Sequence, residues 1–344
     1  MNRGRFIDAC VAFRGIARIH LYHCLPMANT EIEDRITVKV AIIGARRSRN
    51  GIGEFIAKYF HKNAATVISV LGTTKETAQN ASSALRKYGI ESAPYRNFYE
   101  MVEREKPDTA VIASPSLTHY EYLVKCIDFG LNIFCEKPFI WRETGDIRGI
   151  TENIFEKANR ENLTLAMNSQ WPFSIKYFEE ICGRIDSEKT DTFSISLSPL
   201  SFGKEMIPES VPHALSMLYV VLGDGEIADL CFEPDAEKMI IGFRYLSKTN
   251  DCDVLINLVR KERQPRGFCF GFNDRIVHRI LDFKKYEIYF TYKDKKKKIM
   301  DPLELSVQDF IEAVREQREP LIGYSHILNN MSLLRKIYDS YPGI

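Results

Sequence analysis

Val38-Lys39-Val40-Ala41-Ile42-Ile43 runs straight into Gly44-Ala45-Arg46-Arg47-Ser48-Arg49-Asn50-Gly51-Ile52-Gly53, and Ile52, Phe55, Ile56 and Tyr59 then recur at i, i+3, i+4, i+7. An apolar run, a glycine-bearing loop and an amphipathic stretch predict a buried strand, a turn and a helix. Dinucleotide binding needs that order. Glycines let the backbone approach a pyrophosphate, and the first helical turn supplies free N–H groups and the positive end of its dipole. The spacing departs from GxGxxG, with residues inserted between Gly44-Ala45 and Gly51-Ile52-Gly53, so the loop alone also reads as a glycine turn without a ligand. Gly44, Ala45, Arg46, Arg47, Gly51, Ile52 and Gly53 are its cofactor-binding candidates.

Working outward, strand and helix patterns alternate. Residues 66–71 predict a strand, 75–88 a helix stopped by Gly89, and Asn97 with Glu100 three residues on suggests a capping box opening a helix to about residue 105. Residues 109–113 and 131–135 predict further strands, with Leu123, Cys126 and Ile127 marking the buried face of the helix between them. Such alternation specifies a parallel sheet with helices on both faces, and ligands then bind at the carboxyl ends of the strands. After about residue 190 the pattern changes. Residues 193–197, 238–246, 252–259, 267–272, 277–283 and 286–292 read as strands without intervening helices, hence a mostly antiparallel sheet, and Val307, Phe310, Ile311 and Val314 mark a closing helix. The expected fold is an α/β Rossmann dinucleotide-binding domain (37–150) followed by an α+β domain with a mostly antiparallel open sheet (151–344), the latter for substrate and oligomerisation.

Composition narrows the function. A formal net charge of +1 across 344 residues argues against a nucleic-acid or anionic-membrane binder. No run approaches the roughly 20 apolar residues that span a bilayer. The eight cysteines are scattered and form no CxxC pair, which suggests free thiols in a reducing cytoplasm rather than a disulfide framework or zinc site. Residues 1–36, basic and without a continuous apolar core, do not read as a signal peptide; they read as an N-terminal extension for which disorder is an open reading. His20, His23 and Cys24 within it lack further nearby ligands, and no metal site is expected. The lysine-rich run from Lys293 to Lys298 reads as a solvated turn or hairpin tip, with an acid-binding patch as the alternative.

Cofactor preference is read at the end of the second strand. An NAD-preferring site usually carries an acidic residue there for the ribose 2′-hydroxyl, and here Gly72 holds that place. Thr73 and Thr74 offer hydroxyls, Lys75 a charge, and Arg46 and Arg47 guanidinium groups suited to a 2′-phosphate. NADP(H) is therefore favoured over NAD(H).

The chemistry centres on Cys135-Glu136-Lys137-Pro138 at the end of a predicted strand. A lysine at that rim can donate a proton or hydrogen-bond a substrate oxygen during hydride transfer, although the tripeptide alone also suits an ordinary strand-end ion pair. Together with the strand–glycine–helix start and Ser114-Pro115-Ser116-Leu117-Thr118-His119, it gives the chain a resemblance to the glucose-fructose oxidoreductase, inositol dehydrogenase and rhizopine-catabolism (Gfo/Idh/MocA) family over residues 37–340. The resemblance implies hydride transfer between nicotinamide and a carbonyl or carbinol carbon, often of a sugar or polyol, with Lys137 as the catalytic lysine. It places Ser114, Pro115 and His119 at the nicotinamide end of the cofactor site, beside Glu136, which orients Lys137. Where the family carries Asp-x-x-x-His, this chain has Glu209-Ser210-Val211-Pro212-His213, so His213 matches as acid/base and Glu209 replaces the substrate-positioning Asp. A further Asp three residues after the His is Ser216 here. Trp171 is a candidate to stack on a sugar face or to fill core. Relatives of this build often assemble through the open sheet face, which implies a homodimer or homotetramer.

A small-molecule substrate is expected, with no nucleic-acid or membrane partner. Two other readings stand beside the sugar or polyol dehydrogenase: an NADPH-dependent imine reductase, and a non-catalytic NADP-binding sensor or scaffold, to which the Glu209 and Ser216 departures lend weight.

Overall fold

The computed structural model describes residues 37–45, 52–142 and 144–343. The expectations for 1–36 and for Arg46, Arg47 and Gly51 lie outside them.

The first half is built as the alternation predicts. In chain order come β1 (Lys39–Ile43), α1 (Gly53–Lys62), β2 (Thr66–Leu71), α2 (Lys75–Leu85), β3 (Ala93–Tyr95), α3 (Phe98–Glu105), β4 (Thr109–Ile112), α4 (His119–Asp128), β5 (Asn132–Glu136), α5 (Ile147–Arg160) and β6 (Leu165–Asn168). The six strands pair in parallel in the order β3-β2-β1-β4-β5-β6. That is the doubly wound order, and the crevice at its switch point lies between the ends of β1 and β4. The boundary set at residue 150 falls inside this layer, because β6 pairs with β5 beyond it. β3 and β6 escaped the sequence reading because three or four residues are too few for a period to show. The Asn97 cap is present, its side chain accepting from the Glu100 N–H. A reciprocal capping box forms instead at Thr74 and Thr77, opening α2.

The second half contains α6 (Ile175–Cys182), β7 (Thr192–Leu197), α7 (Met206–Leu222), β8 (Gly225–Pro234), β9 (Lys238–Ser247), β10 (Asp251–Val259), β11 (Cys269–Phe272), β12 (Arg275–Asp282), β13 (Glu287–Tyr292) and β14 (Lys295–Ile299), then α8 (Pro302–Glu316) and α9 (Tyr324–Asp339). Eight strands form an open sheet in the order β14-β13-β12-β11-β7-β10-β9-β8, antiparallel except where β7 meets β10. The lysine run is an edge strand rather than only a turn. The chain reverses at Lys293, whose φ is 52°, and β14 then pairs with β13. Lysines on an exposed edge oppose further strand addition.

The two layers are stitched together by the chain's end. α8 returns to the parallel sheet, where Phe310 meets Phe60 and Phe134 edge-on or tilted in a fully buried cluster. The Tyr59 hydroxyl donates to Asp301 at 2.6 Å, and Lys62 pairs with Glu304 at 2.6 Å. The other face of that sheet and the inner face of the antiparallel sheet share a second, larger apolar cluster. The described residues from 37 onward therefore fall in one compact unit.

Candidate active site

At the switch point the backbone leaves no room for side chains. Gly44 has φ +90°, and a Cβ there would stand 2.7 Å from the backbone of Ala113 and Ser114. A Cβ on Gly53 would stand 2.6 Å from the Gly44 carbonyl oxygen. The glycines thus bring the ends of β1 and β4 and the start of α1 into contact. The cap residue of α1, Ile52, offers no side-chain acceptor, so the first N–H groups of that helix are not claimed by a cap. This cradle suits a pyrophosphate. Gly72 is as constrained: a Cβ would lie 2.5 Å from the Ala78 nitrogen, so no carboxylate can stand there. Thr73, Thr74 and Lys75 follow it and are exposed. The Thr74 hydroxyl is engaged, since it accepts from the Thr77 N–H to cap α2.

A cavity of about 500 Å³ opens between the ends of the parallel strands and the antiparallel sheet. Ile52 and Ser116 lie at its parallel-sheet side, Glu136 and Lys137 come from the end of β5, His213 from α7, and Trp171, Phe268 and Arg279 from the wall near the second sheet. The structure therefore brings Lys137, His213, Glu209, Glu136 and Trp171 together.

Lys137 reaches across to α7. Its ammonium donates to the Glu209 carbonyl oxygen at 2.5 Å. An ammonium has three donors, so two remain for a ligand. The Glu209 carboxylate does something else. It accepts the Leu200 N–H at 2.9 and 3.1 Å and the Ser201 N–H at 2.8 Å. Although burial opposes its charge, Lys137 and these N–H groups hold its pKa below the usual carboxylate range. The longer glutamate is thus spent on fixing the 200–201 loop, and its backbone, not its carboxylate, positions the lysine.

His213 is half-buried, its Nδ1 3.1 Å from the Ser169 hydroxyl. Burial, and then the nearby Lys137 charge, push its pKa well below the ordinary histidine value, so the ring is neutral at neutral pH. No partner meets Nε2 among the described residues, which leaves that nitrogen free to bond a substrate hydroxyl or carbonyl. Glu136 carries the opposite perturbation. Burial raises its pKa to about 7, against the lowering effects of Lys137 and of the Asn168 amide that bonds it. Asn168 is itself held by the Ser306 hydroxyl of α8 at 3.2 Å. Glu136 therefore has the amide of Asn168, not the ammonium of Lys137, as its direct partner.

Asn168 and Ser169 were missed by the sequence reading, although they stand beside Trp171. Their signal was the unrecognised β6: its parallel pairing sets Asn168 opposite Glu136. Trp171 is buried and stacks on Phe268 with ring centroids 3.6 Å apart, so one of its faces is taken by core. One expected participant, His119, and the departure at Ser216 both stand behind the site. His119 is 1% exposed, with Nδ1 2.9 Å from the Pro138 carbonyl and Nε2 2.9 Å from the Ser114 carbonyl. It does not line the cavity; it ties the turn after β4 to the turn after β5. Ser216 is buried and accepts from the Asn330 amide at 2.9 Å. Among the described residues no cluster of three or more histidine, cysteine or carboxylate side chains could hold a metal.

A doubly wound sheet whose strand ends open onto a polar cavity defines a Rossmann-type protein with a second, antiparallel layer. Residues 38–168 match the Gfo/Idh/MocA family model, described as an oxidoreductase family with an NAD-binding Rossmann fold. The chain is 26% identical over 105 residues to an inositol 2-dehydrogenase of Salmonella paratyphi B, a match covering 30% of this chain and 29% of that protein. Among solved structures, a UDP-N-acetylglucosamine 3-dehydrogenase from Acidithiobacillus ferrooxidans superposes with a TM-score of 0.67 at 16% identity, over 89% of this chain and 98% of that one. A levoglucosan dehydrogenase in complex with NADH and levoglucosan gives 0.64 at 13%, over 89% and 97%. At such identities these likenesses extend the shared fold to the antiparallel layer and say nothing further of substrate.

Proposed function

We propose that the protein is an NADP(H)-dependent oxidoreductase acting on a carbonyl or carbinol carbon of a sugar, polyol or related small molecule. The observation that carries this reading is the Lys137 ammonium, held by the Glu209 carbonyl at the strand end and lining the same cavity as the neutral ring of His213. A bound nicotinamide would supply or accept the hydride. Lys137 would hold the substrate oxygen and share its proton, and His213 would exchange a proton through Nε2. Gly44, Ala45, Ile52 and Gly53 would seat the pyrophosphate, with Ser114 and Pro115 beside the nicotinamide.

The preference for NADP(H) rests on Gly72, where no acidic side chain fits, and on the exposed Thr73, Thr74 and Lys75 that follow. We place the protein in the cytoplasm as a homodimer or homotetramer. Its described cysteines are free thiols, and the outer face of the antiparallel sheet exposes Leu255, Ile276 and Ile280. Among the described residues no helix is long and apolar enough to cross a membrane.

The sensor reading draws on one observation: the Glu209 carboxylate is committed to the 200–201 loop and is not free for substrate. Fluorescence titration and turnover assays over sugars, polyols, carbonyls and cyclic imines separate the two. The enzyme reading expects tighter binding of NADPH than NADH, a loss of about tenfold in NADPH affinity alone for Lys75→Glu, and turnover on at least one compound. Equal binding of both dinucleotides would overturn the NADP(H) preference. Tight cofactor binding with no turnover on any compound would favour the sensor.

A further inference from the structure

The wall of the cavity contributed by the antiparallel layer carries charge where the strand pattern calls for apolar residues. On β12, Arg275, Val277 and Arg279 share one face, and Val277 is fully buried, whereas Ile276, His278 and Ile280 face outward. Arg279 therefore projects from the inner face of the sheet, with its guanidinium 5.3 Å from the Trp171 ring centroid and 5.5 Å from that of Phe268. It forms no ion pair with a carboxylate among the described residues. Its bond is to the Arg266 carbonyl oxygen at 2.6 Å. Arg266 also lines the cavity, donates to the Ser198 carbonyl at 3.2 Å, and has its nearest carboxylate, Glu209, at 4.0 Å. That carboxylate is already committed to backbone N–H groups.

Arg275, on the same face of the same strand but outside the cavity, shows the contrast. One nitrogen of its guanidinium, Nη1, meets the carbonyl oxygens of Cys182, Gly183 and Arg184. Arg279 meets one carbonyl oxygen, through Nη2. Burial and then the Arg266 charge push its pKa down to about 10, and the Asp301 carboxylate, which bonds the Tyr59 hydroxyl and the Leu303 N–H instead, offsets them only in part. A guanidinium removed from water without a carboxylate in contact is costly, and a second one beside it raises that cost. The remaining acids of the cavity do not neutralise the pair. Glu136 is about half protonated at neutral pH, and Glu205 lies exposed at the rim, where it accepts from the Tyr338 hydroxyl.

We infer that Arg266 and Arg279 form an anion subsite that receives a carboxylate or phosphate group of the substrate, so that the oxidoreductase acts on an acidic sugar or polyol derivative rather than a neutral one. This rests on the function proposed above and narrows it. Guanidinium groups suit planar or tetrahedral oxyanions, and the stacked Trp171 and Phe268 rings hold Arg279 in place.

The test is calorimetric binding to NADPH-loaded protein of three matched probes: glucose, glucuronate and glucose 6-phosphate. The expected result is that at least one anionic probe binds about 10- to 100-fold tighter than glucose, with a preference that weakens as salt is raised. Whichever anion leads identifies carboxylate or phosphate as the group received. Arg279→Gln should bring that anion to the level of glucose, Arg279→Lys should retain part of the preference, and NADPH affinity should stay unchanged in both, which also reports that they fold. Arg266→Gln provides a second variant. Binding of all three probes at equal or undetectable levels, or a preference that survives Arg279→Gln, overturns the subsite. Anion preference without hydride transfer to any probe would keep the subsite and remove the enzyme reading. Hydride transfer to glucose without anion preference would do the reverse.

Discussion

The parallel and antiparallel sheets line the cavity in different ways. In the parallel sheet the cavity is lined from strand ends, and the backbone dictates the residue. Gly44 and Gly53 are there because a Cβ would strike main-chain atoms, and Lys137 is there because β5 stops. In the antiparallel sheet the cavity-lining positions include inward-facing side chains midway along strands, such as Arg279, where the backbone itself does not dictate the residue. A site specified by backbone geometry tolerates little substitution, whereas one specified by side chains can be retuned for a new substrate while the fold stands.

The sharpest way to break that contrast is at two glycines with the same backbone sign. Gly44→Ala should cost about 3–5 kcal/mol, since it combines a left-handed φ with overlap against the backbone of Ala113 and Ser114, and it should abolish NADPH binding. Gly89 is left-handed, with φ 77° and ψ 16°, and a Cβ there would meet only His61 Nε2 at 3.8 Å, so Gly89→Ala should cost only about 1–2 kcal/mol and leave binding intact. Denaturant unfolding with parallel titrations reads both. Equal costs would mean that close approach at the switch point is not what Gly44 serves.

A smaller effect is expected from Glu136. Its pKa is raised above the unfolded carboxylate value, so between about pH 4.5 and 7 the folded state binds more protons than the unfolded one. Stability should therefore fall as pH rises through this window. Relative to Glu136→Gln, the wild type should lose on the order of 2–3 kcal/mol across it. A pH-independent difference between the two would contradict the burial of that carboxyl.

The contrast between the sheets also explains what could be read from sequence. The β1–loop–α1 start, the Lys137 turn and the change to antiparallel strands were legible because glycine, proline and strand periodicity mark them directly. β3 and β6 were too short to show a period, and with β6 went Asn168 and Ser169, the partners of Glu136 and His213. β8 was hidden by a register shift between Ala228 and Cys231 and by Asp229, whose φ is 52°. Arg279 lay within a recognised strand, but both faces of β12 carry apolar residues, so only the pairing with β11 and β13 tells which face is inner. Glu209 was legible as a position and not as a role, because nothing in the sequence says that its carboxylate closes the 200–201 loop.

The central claim is that the amine at the end of β5 serves the reaction rather than the fold or the cofactor. Single-turnover mixing of NADPH-loaded Lys137→Met with a substrate that the wild type accepts tests it most directly. Wild-type NADPH affinity with hydride transfer slowed at least about a hundredfold is the expected result; transfer at a near-wild-type rate would contradict the role assigned to Lys137.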